Sequence, residues 1–457
     1  MQVTQVAAEG LVRQFRIVVP AEEIESRVAS RLEDLKARVR MPGFRPGKVP
    51  LPLLRKQYGK GVLGEVVEQA VDEGTKKAIG EHELKPALRP EIEITSFDEG
   101  KDLEFAVRVE LLPEVPPIDL KAIELTRPVA AVDDAMVAET IERIARARQK
   151  FRAPAEPRPA TKGDKVTIDF EGRIDGQPFE GGSGRDLSVV LGAGGTIPGF
   201  EDQLEGVVPG ERRTIRVTFP ENYGDAKLRG KEATFEIVVK AVEEPLPITI
   251  DDALAKEVGA EDLADLQKEV RERIEADFKT ASRLKAKRRL LDRLAADYVF
   301  AVPKGMVDIE FDAIWREVER EMKERGLTFE AEGKSEEELK AEYRAIAERR
   351  VRLGLILSEI GTRHEIKVEG HELQQAVIAQ AQRYPGRERE VIDFYRSNAG
   401  ALEALRAPIF EDKVVDFVLQ LAKVTDQPVT PAELMREEDE EETPASGASA
   451  AEAKAAS

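Results

Sequence analysis

The chain contains no cysteine among its 457 residues, which excludes a disulfide framework and any zinc site built on thiolates. Histidine is nearly as scarce: only His82, His364 and His371 occur. All three lie outside the 163–242 stretch described below, where each reads as a surface or internally satisfied residue rather than a ligand, so no metal site is expected. No apolar run approaches the ~20 residues that cross a bilayer. The opening residues Met1-Gln2-Val3-Thr4-Gln5 lack the basic and apolar regions of a secretory signal, so the expected location is the cytoplasm, away from membranes. Positive charge is in deficit, with 70 Lys and Arg against 89 Asp and Glu for a net charge of −19, which argues against DNA as a partner. Nucleotide-binding loops are missing too. Gly43 and Gly47 are separated by three residues and Lys48 is followed by Val49, unlike a phosphate-binding P-loop. Gly192-Ala193-Gly194 has Ile197 where a dinucleotide fingerprint needs its third glycine. No cofactor is expected.

What is present is length enough for about three domains and a central stretch, Gly163 to Val242, with a pattern of its own. Val166, Ile168 and Phe170 alternate with polar residues, as do Ile215, Val217 and Phe219, so one face of each strand is buried. Asp175-Gly176 between two such segments is the strongest short hairpin signal. Pro198-Gly199 breaks the pattern, and Phe200, Leu204 and Val207 follow at helical spacing, predicting one short helix. A twisted sheet on one helix leaves a shallow apolar pocket between them.

The order and spacing of Val166 to Gly172, Gln177 to Gly182, Ile197 to Leu204 and Pro220 to Gly224 resemble the FKBP family of peptidyl-prolyl isomerases over about eighty residues. The resemblance implies a pocket wall of Phe170, Phe179, Val189 and Ile237, a floor of Phe200, and a rim of Ile197 and Tyr223, with Glu180 among the site residues. Phe170, Phe200 and Ile237 stand where many members carry Tyr, Trp and Phe, which keeps the pocket apolar but removes a hydroxyl and an indole donor. The chemistry suits such a pocket, because turning an X-Pro bond needs no nucleophile and no metal. The planar amide is held by a barrier of ~18–20 kcal/mol that resonance creates. A desolvated cleft favours the twisted, less polar amide, and the Tyr223 hydroxyl or a backbone N–H can hold the substrate carbonyl.

Ahead of this stretch, Leu11 to Val19 is strand-like and Pro20 precedes a helix whose Ile24, Val28, Leu32, Leu35 and Val39 share one face. That helix stops before Met41-Pro42-Gly43-Phe44-Arg45-Pro46-Gly47-Lys48-Val49-Pro50, where three prolines and two glycines forbid regular structure. Phe44 either tucks into the local core as part of a connector or is presented on the surface. Between Arg31 and Lys60, nine basic residues stand against Glu33 and Asp34, a local net of +7, which favours presentation. A helix around Leu54 to Ile79 and strands near Ile92 and Phe105 complete an α+β unit.

Gly43 to Pro50 resembles the ribosome-docking signature of the trigger factor family of bacterial nascent-chain chaperones, whose members also carry an FKBP-type insert. The resemblance implies contacts from Phe44 and Arg45 supported by Gly43, Gly47 and Lys48. Pro46 stands where the family often has lysine. The implied partners are the ribosome, through protein and rRNA at its exit tunnel, and unfolded nascent polypeptides, with a homodimer off the ribosome as a further expectation.

Leu112 to Pro117 reads as an extended linker, followed by an alternating stretch near Leu125. Asp133-Asp134 then caps a helix running to Phe151 with Met136, Ile141 and Ile144 apolar. From Thr249 to about Val424 the pattern is helical nearly throughout. Leu263, Leu266, Val270, Ile274 and Phe278 recur every three or four residues, Glu269 and Glu275 precede Arg273 and Lys279 by four, and Gly361 is among the later breaks. That pattern admits an ordinary bundle, a coiled-coil dimer, or arms whose inner faces hold unfolded chains; the resemblance implies arms. From Glu433 on, eight acids against Arg436 and Lys454 predict a disordered tail. The expected class is multidomain α+β: a ribosome-binding α+β domain over 1–114, a linker and helix packing on the C-terminal domain over 115–155, an FKBP-like half-barrel sheet on one helix over 156–245, a mostly α-helical chaperone domain over 246–432 and an acidic tail over 433–457. The alternative is an FKBP-type isomerase whose helical part serves dimerisation or a partner, without ribosome docking; a third is a binding module with a vestigial pocket.

Overall fold

The computed structural model describes residues 1–39, 42, 44, 48–98, 100–220, 223–225, 227–325 and 335–436, with the side chains of Arg38 and Arg325 also left out. Its contacts divide the chain into two units, Met1–Val129 with Ala281–Ser457, and Ala130–Thr280.

The first unit opens with β1 (Gln2–Glu9) and β2 (Val12–Val19), then α1 (Ala21–Arg38), α2 (Leu51–Glu81), β3 (Glu91–Ser96) and β4 (Leu103–Glu110). The strands form one antiparallel sheet in the order β1-β2-β4-β3. Phe15, Ile17 and Val19 on β2, and Leu103, Phe105, Val107 and Val109 on β4, all point to one face, as the two-residue period requires. Ile24, Val28 and Leu32 of α1 and Leu54, Val62, Val66 and Ala70 of α2 cover it. Helix α2 comes so close that a side-chain carbon on Gly74 would stand 2.8 Å from the Phe105 ring. β1 was not anticipated; as an edge strand it is mostly exposed and its sequence alternates weakly. β5 (Glu124–Val129) follows, after the extended linker.

The second unit contains α3 (Asp134–Ala147), β6 (Phe151–Arg152), β7 (Lys165–Ile174), β8 (Gln177–Val190), β9 (Arg212–Thr218), β10 (Glu232–Pro245), α4 (Asp252–Val258) and the start of α5 (Leu263–Asp297). The strands build a five-stranded sheet in the order β6-β10-β7-β8, with β9 also pairing β10, at Glu232 to Val238. The short helix expected after Pro198-Gly199 is instead a three-residue 3-10 turn, Asp202–Leu204. Gly199 and Gly206 both take positive φ, +81° and +79°, leaving too few residues between them for an α-helix to propagate. Asp133 caps α3 through Met136 N–H at 2.8 Å, but the helix stops at Ala147 and Phe151 joins β6, not the helix. Val137, Ile141 and Ala145 of α3 pack with Leu254, Ala255, Leu266 and Val270. In α5, Arg273 pairs with Asp277 at 3.4 Å rather than with Glu269.

The first unit resumes with the rest of α5, then α6 (Lys304–Arg325), α7 (Glu336–Arg363), α8 (Gly370–Gln382), α9 (Glu388–Ser397), α10 (Ala399–Leu421), β11 (Lys423–Pro428) and α11 (Pro431–Met435). β11 pairs in parallel with β5, Lys423 opposite Glu124 and Pro428 opposite Val129. Leu120, Ile123 and Leu125 thereby enter the helical core beside Leu290, Leu294, Ile356, Leu357 and Val414. Gly361 does not break its helix. It lies buried in α7 under the Phe410 ring, which would stand 2.3 Å from any side-chain carbon there. No helix among the described residues is long and apolar enough to cross a membrane.

Candidate functional site

The cleft is assembled from aromatic rings that the sheet delivers to one side of the second unit. Val166 and Ile168 of β7 are fully buried, but the register with β8 slips between Ile168 and Phe170. That bulge leaves Phe170 half-buried at the edge of the core rather than inside it. Asp175 and Gly176 turn the chain with φ of +52° and +80°, the paired left-handed geometry of a two-residue hairpin, and β8 then brings Phe179 back toward Phe170. Three glycines make room for the rings. A side-chain carbon on Gly172 would meet the Phe235 ring at 2.4 Å, one on Gly182 the Phe179 ring at 2.9 Å, and one on Gly184 the Phe170 ring at 2.6 Å.

Phe235 of β10 is the hub. Its ring centroid lies 5.5 Å from that of Phe200, 6.0 Å from Phe170 and 6.2 Å from Phe179. Phe219 links Phe179 at 5.9 Å to Tyr223 at 4.7 Å. Phe200, Phe219 and Phe235 are buried, while Phe170, Phe179, Ile197 and Tyr223 are partly exposed around them. Sequence reasoning placed Phe170, Phe179, Val189, Ile197, Phe200 and Tyr223 here, and the structure gathers all six in one apolar cluster. Ile237 belongs to the same cluster but is 1 % exposed, in register with Phe170 on the neighbouring strand, so it backs the cleft from the core. Glu180 is exposed. Phe235 and Phe219 were not put forward as site residues. Their signal was available in the alternation Phe235-Ile237-Val239 and Ile215-Val217-Phe219, which fixes their face.

Two buried carboxylates brace this module. Asp164, at the entry to β7 and 1 % exposed, accepts from Arg158 at 2.6 and 2.9 Å and from Thr161 N–H at 2.8 Å. Burial pushes its carboxyl up, but hydrogen bonds from Arg158 and Thr161 outweigh this and hold it below the ordinary range. Glu201, 7 % exposed, accepts from the loop that leads to Ile197. Burial again opposes its ionisation and is outweighed by the N–H of Gly194, the Thr196 hydroxyl and the N–H of Gly192, so its carboxyl also lies below the ordinary range. Among the described residues no group of His, Asp or Glu could hold a metal ion.

The second candidate site lies between α1 and α2. Phe44 is 39 % exposed and Lys48 is exposed, whereas Val49 is 1 % exposed and enters the core. The residue that anchors the connector is therefore Val49, and Phe44 is presented. Gly43, Arg45 and Gly47 lie outside the described residues. Part of the +7 charge is locally answered, with Arg31 3.1 Å from Glu65 and Arg55 2.8 Å from Glu25.

Family models described as bacterial trigger factor protein match residues 1–144, and its C-terminus 262–420; one described as FKBP-type peptidyl-prolyl cis-trans isomerase matches 156–240. The trigger factor of Rhodospirillum centenum is 54 % identical over 449 residues, covering 98 % of this chain and 100 % of the relative. The chain belongs to the trigger factor family. The trigger factor of Acidiphilium cryptum is 48 % identical, covering 96 % of this chain and 100 % of its own length. A solved structure described as "Promiscuous Substrate Recognition in Folding and Assembly Activities of the Trigger Factor Chaperone" shares the fold with a TM-score of 0.58 at 21 % identity, over 92 % of this chain and 99 % of that one. As a trigger factor family member the chain is a chaperone with a ribosome-binding N-terminal domain and an FKBP-type prolyl isomerase domain. Membership implies the ribosome and nascent chains as its partners. The multidomain α+β class read from the sequence is the one found.

Proposed function

We propose that prolyl isomerisation takes place in the cleft bounded by Phe170, Phe179, Ile197 and Tyr223, over a floor of Phe200 and Phe235, with Ile237 behind it and Glu180 at its outer edge. The observation that carries this reading is the ring cluster itself: buried Phe200, Phe219 and Phe235 beneath partly exposed Phe170, Phe179 and Tyr223. A proline ring seated on these faces loses water. The twisted amide, with less charge separation than the planar one, then loses less from desolvation than the ground state does, and the barrier falls. The substrate carbonyl has two donors at the rim, the Tyr223 hydroxyl and the Ile197 N–H, which donates to none of the described residues. The test is Phe179→Ala in the full chain. Phe179 is partly exposed, so the variant folds by circular dichroism, and its turnover of a short Xaa-Pro peptide falls about ten-fold or more, as loss of a substrate-contacting ring predicts. Turnover at the parent rate in the folded variant refutes this placement.

At the other site we infer that Phe44 and Arg45 contact protein and rRNA at the exit tunnel, supported by Gly43, Gly47 and Lys48. Exposure of Phe44 beside a basic segment supports it. The functional parts are assigned to 1–114 for docking, 156–245 for isomerisation, and 115–155 with 246–432 for holding clients, in the cytoplasm.

A further inference from the structure

Residues 192–200 carry the chain from the end of β8 to the Phe200 ring. The segment has no secondary structure of its own, and Gly192 and Gly194 stand in left-handed backbone at φ +83° and +72°. Such a loop would sample many conformations if nothing held it. The side chain of Glu201 points back into it. Its Oε2 accepts the N–H of Gly192 at 2.9 Å and of Gly194 at 3.0 Å, and its Oε1 accepts the N–H of Thr196 at 3.2 Å and the Thr196 hydroxyl at 3.1 Å. Four donors thus converge on one buried carboxylate. Position 201 follows Phe200 directly, so the same residue that continues the cleft floor also closes the loop into a ring.

We infer that Glu201 is a positioning residue for the isomerase reaction: by clamping the 192–196 loop it fixes the next amide, Ile197 N–H, where a substrate carbonyl meets it. The carboxylate touches no substrate and acts only through the loop. The inference rests on the cleft being the isomerase site. Chemistry explains why a carboxylate stands here. Glutamine offers one acceptor oxygen and turns an NH2 group toward donors, whereas an ionised glutamate accepts on both oxygens. Aspartate is one methylene too short to reach Gly192 and Thr196 together.

The experiment compares the parent chain, Glu201→Gln and Thr196→Val, each full length, by turnover of a short Xaa-Pro peptide and by amide hydrogen exchange. Thr196→Val removes only the hydroxyl among the four donors. For Glu201→Gln the expected result is a fall in kcat/KM of about ten-fold, the scale of a lost charge-assisted hydrogen bond. Faster exchange should be confined to Gly192, Gly194 and Thr196, while amides of β7 and β10 stay protected. Thr196→Val should lose about two- to three-fold, as one neutral hydrogen bond is worth less. If Glu201→Gln loses protection throughout β7 and β10 in step with its activity, the residue is merely structural and the inference is overturned. Parent turnover in a variant whose loop amides exchange fast overturns it as well. Should Glu201→Gln fail to fold, Thr196→Val decides: folded and slower supports positioning, folded and unchanged refutes it. A parent chain that turns over no proline peptide refutes the isomerase site itself, a result distinguishable from the others because it precedes any substitution.

Discussion

Asp164 illustrates how single residues hold the isomerase module in shape. Its carboxylate is almost fully buried and saturated by Arg158 and Thr161, so removing its charge leaves donors without their acceptor. Asp164→Asn should destabilise the module by about 1.5–3 kcal/mol at neutral pH, the range for hydrogen bonds to charged groups. The pH dependence follows from the direction of the shift. The folded-state pKa is depressed, so the stabilisation is fully present above the unfolded value of about 3.9 and is lost as pH falls through the folded value. Urea denaturation followed by loss of prolyl turnover should therefore show a parent-minus-variant gap that is flat from pH 8 to about pH 5 and closes below about pH 4. A gap that instead widens on acidification contradicts this role. At this scale the sequence was partly legible. Phe170, Phe179 and Phe200 could be named because each sits in a local pattern of strand, hairpin or proline-glycine break. The clamp Glu201 could not, since its role arises from amides that only the folded loop brings near, and for Phe235 the alternation gives the face but not the rings that meet on it.

Among the elements, local signals were read where they are local. The Asp175-Gly176 hairpin, the Asp133 cap and the proline boundary ahead of α2 all depend on neighbours in sequence. β11 and β5 pair in parallel although they lie 299 residues apart in the chain, and neither carries a pattern that names its partner. β6 is similar: two residues long, it pairs Arg152 with Glu244 and Phe151 with Pro245. Beside it, Leu246 N–H donates to the Lys150 carbonyl at 2.9 Å and Arg152 meets Glu244 at 2.8 Å. The strands entering and leaving the isomerase module are thus zipped together at its neck. With its ends already adjacent, the module should be removable. Deleting residues 153–243 and joining Arg152 to Glu244 through Asn-Gly, a turn suited to two paired strands, should leave a soluble protein. Its helical circular dichroism should persist, and it should still suppress aggregation of a denatured client. Loss of the helical signal or aggregation of the shortened chain would show that the module is integral to the helical core that α3 shares with α4 and α5.

For the whole molecule, charge and exposure separate two activities that the sequence places in different segments. The net charge is −19, yet the connector between α1 and α2 lies in a segment of local net +7, and its Phe44 is exposed. In a chain that is acidic as a whole, a segment of local net +7 is a place where an anionic surface can bind. Docking should weaken as salt rises, because counterions are released from rRNA phosphates on binding. Co-sedimentation with ribosomes of the parent chain and of Phe44→Ala with Arg45→Ala tests the account most directly, with prolyl turnover measured on the same samples. The double variant should stay in the supernatant while isomerising proline peptides at the parent rate. Pelleting equal to the parent would contradict it.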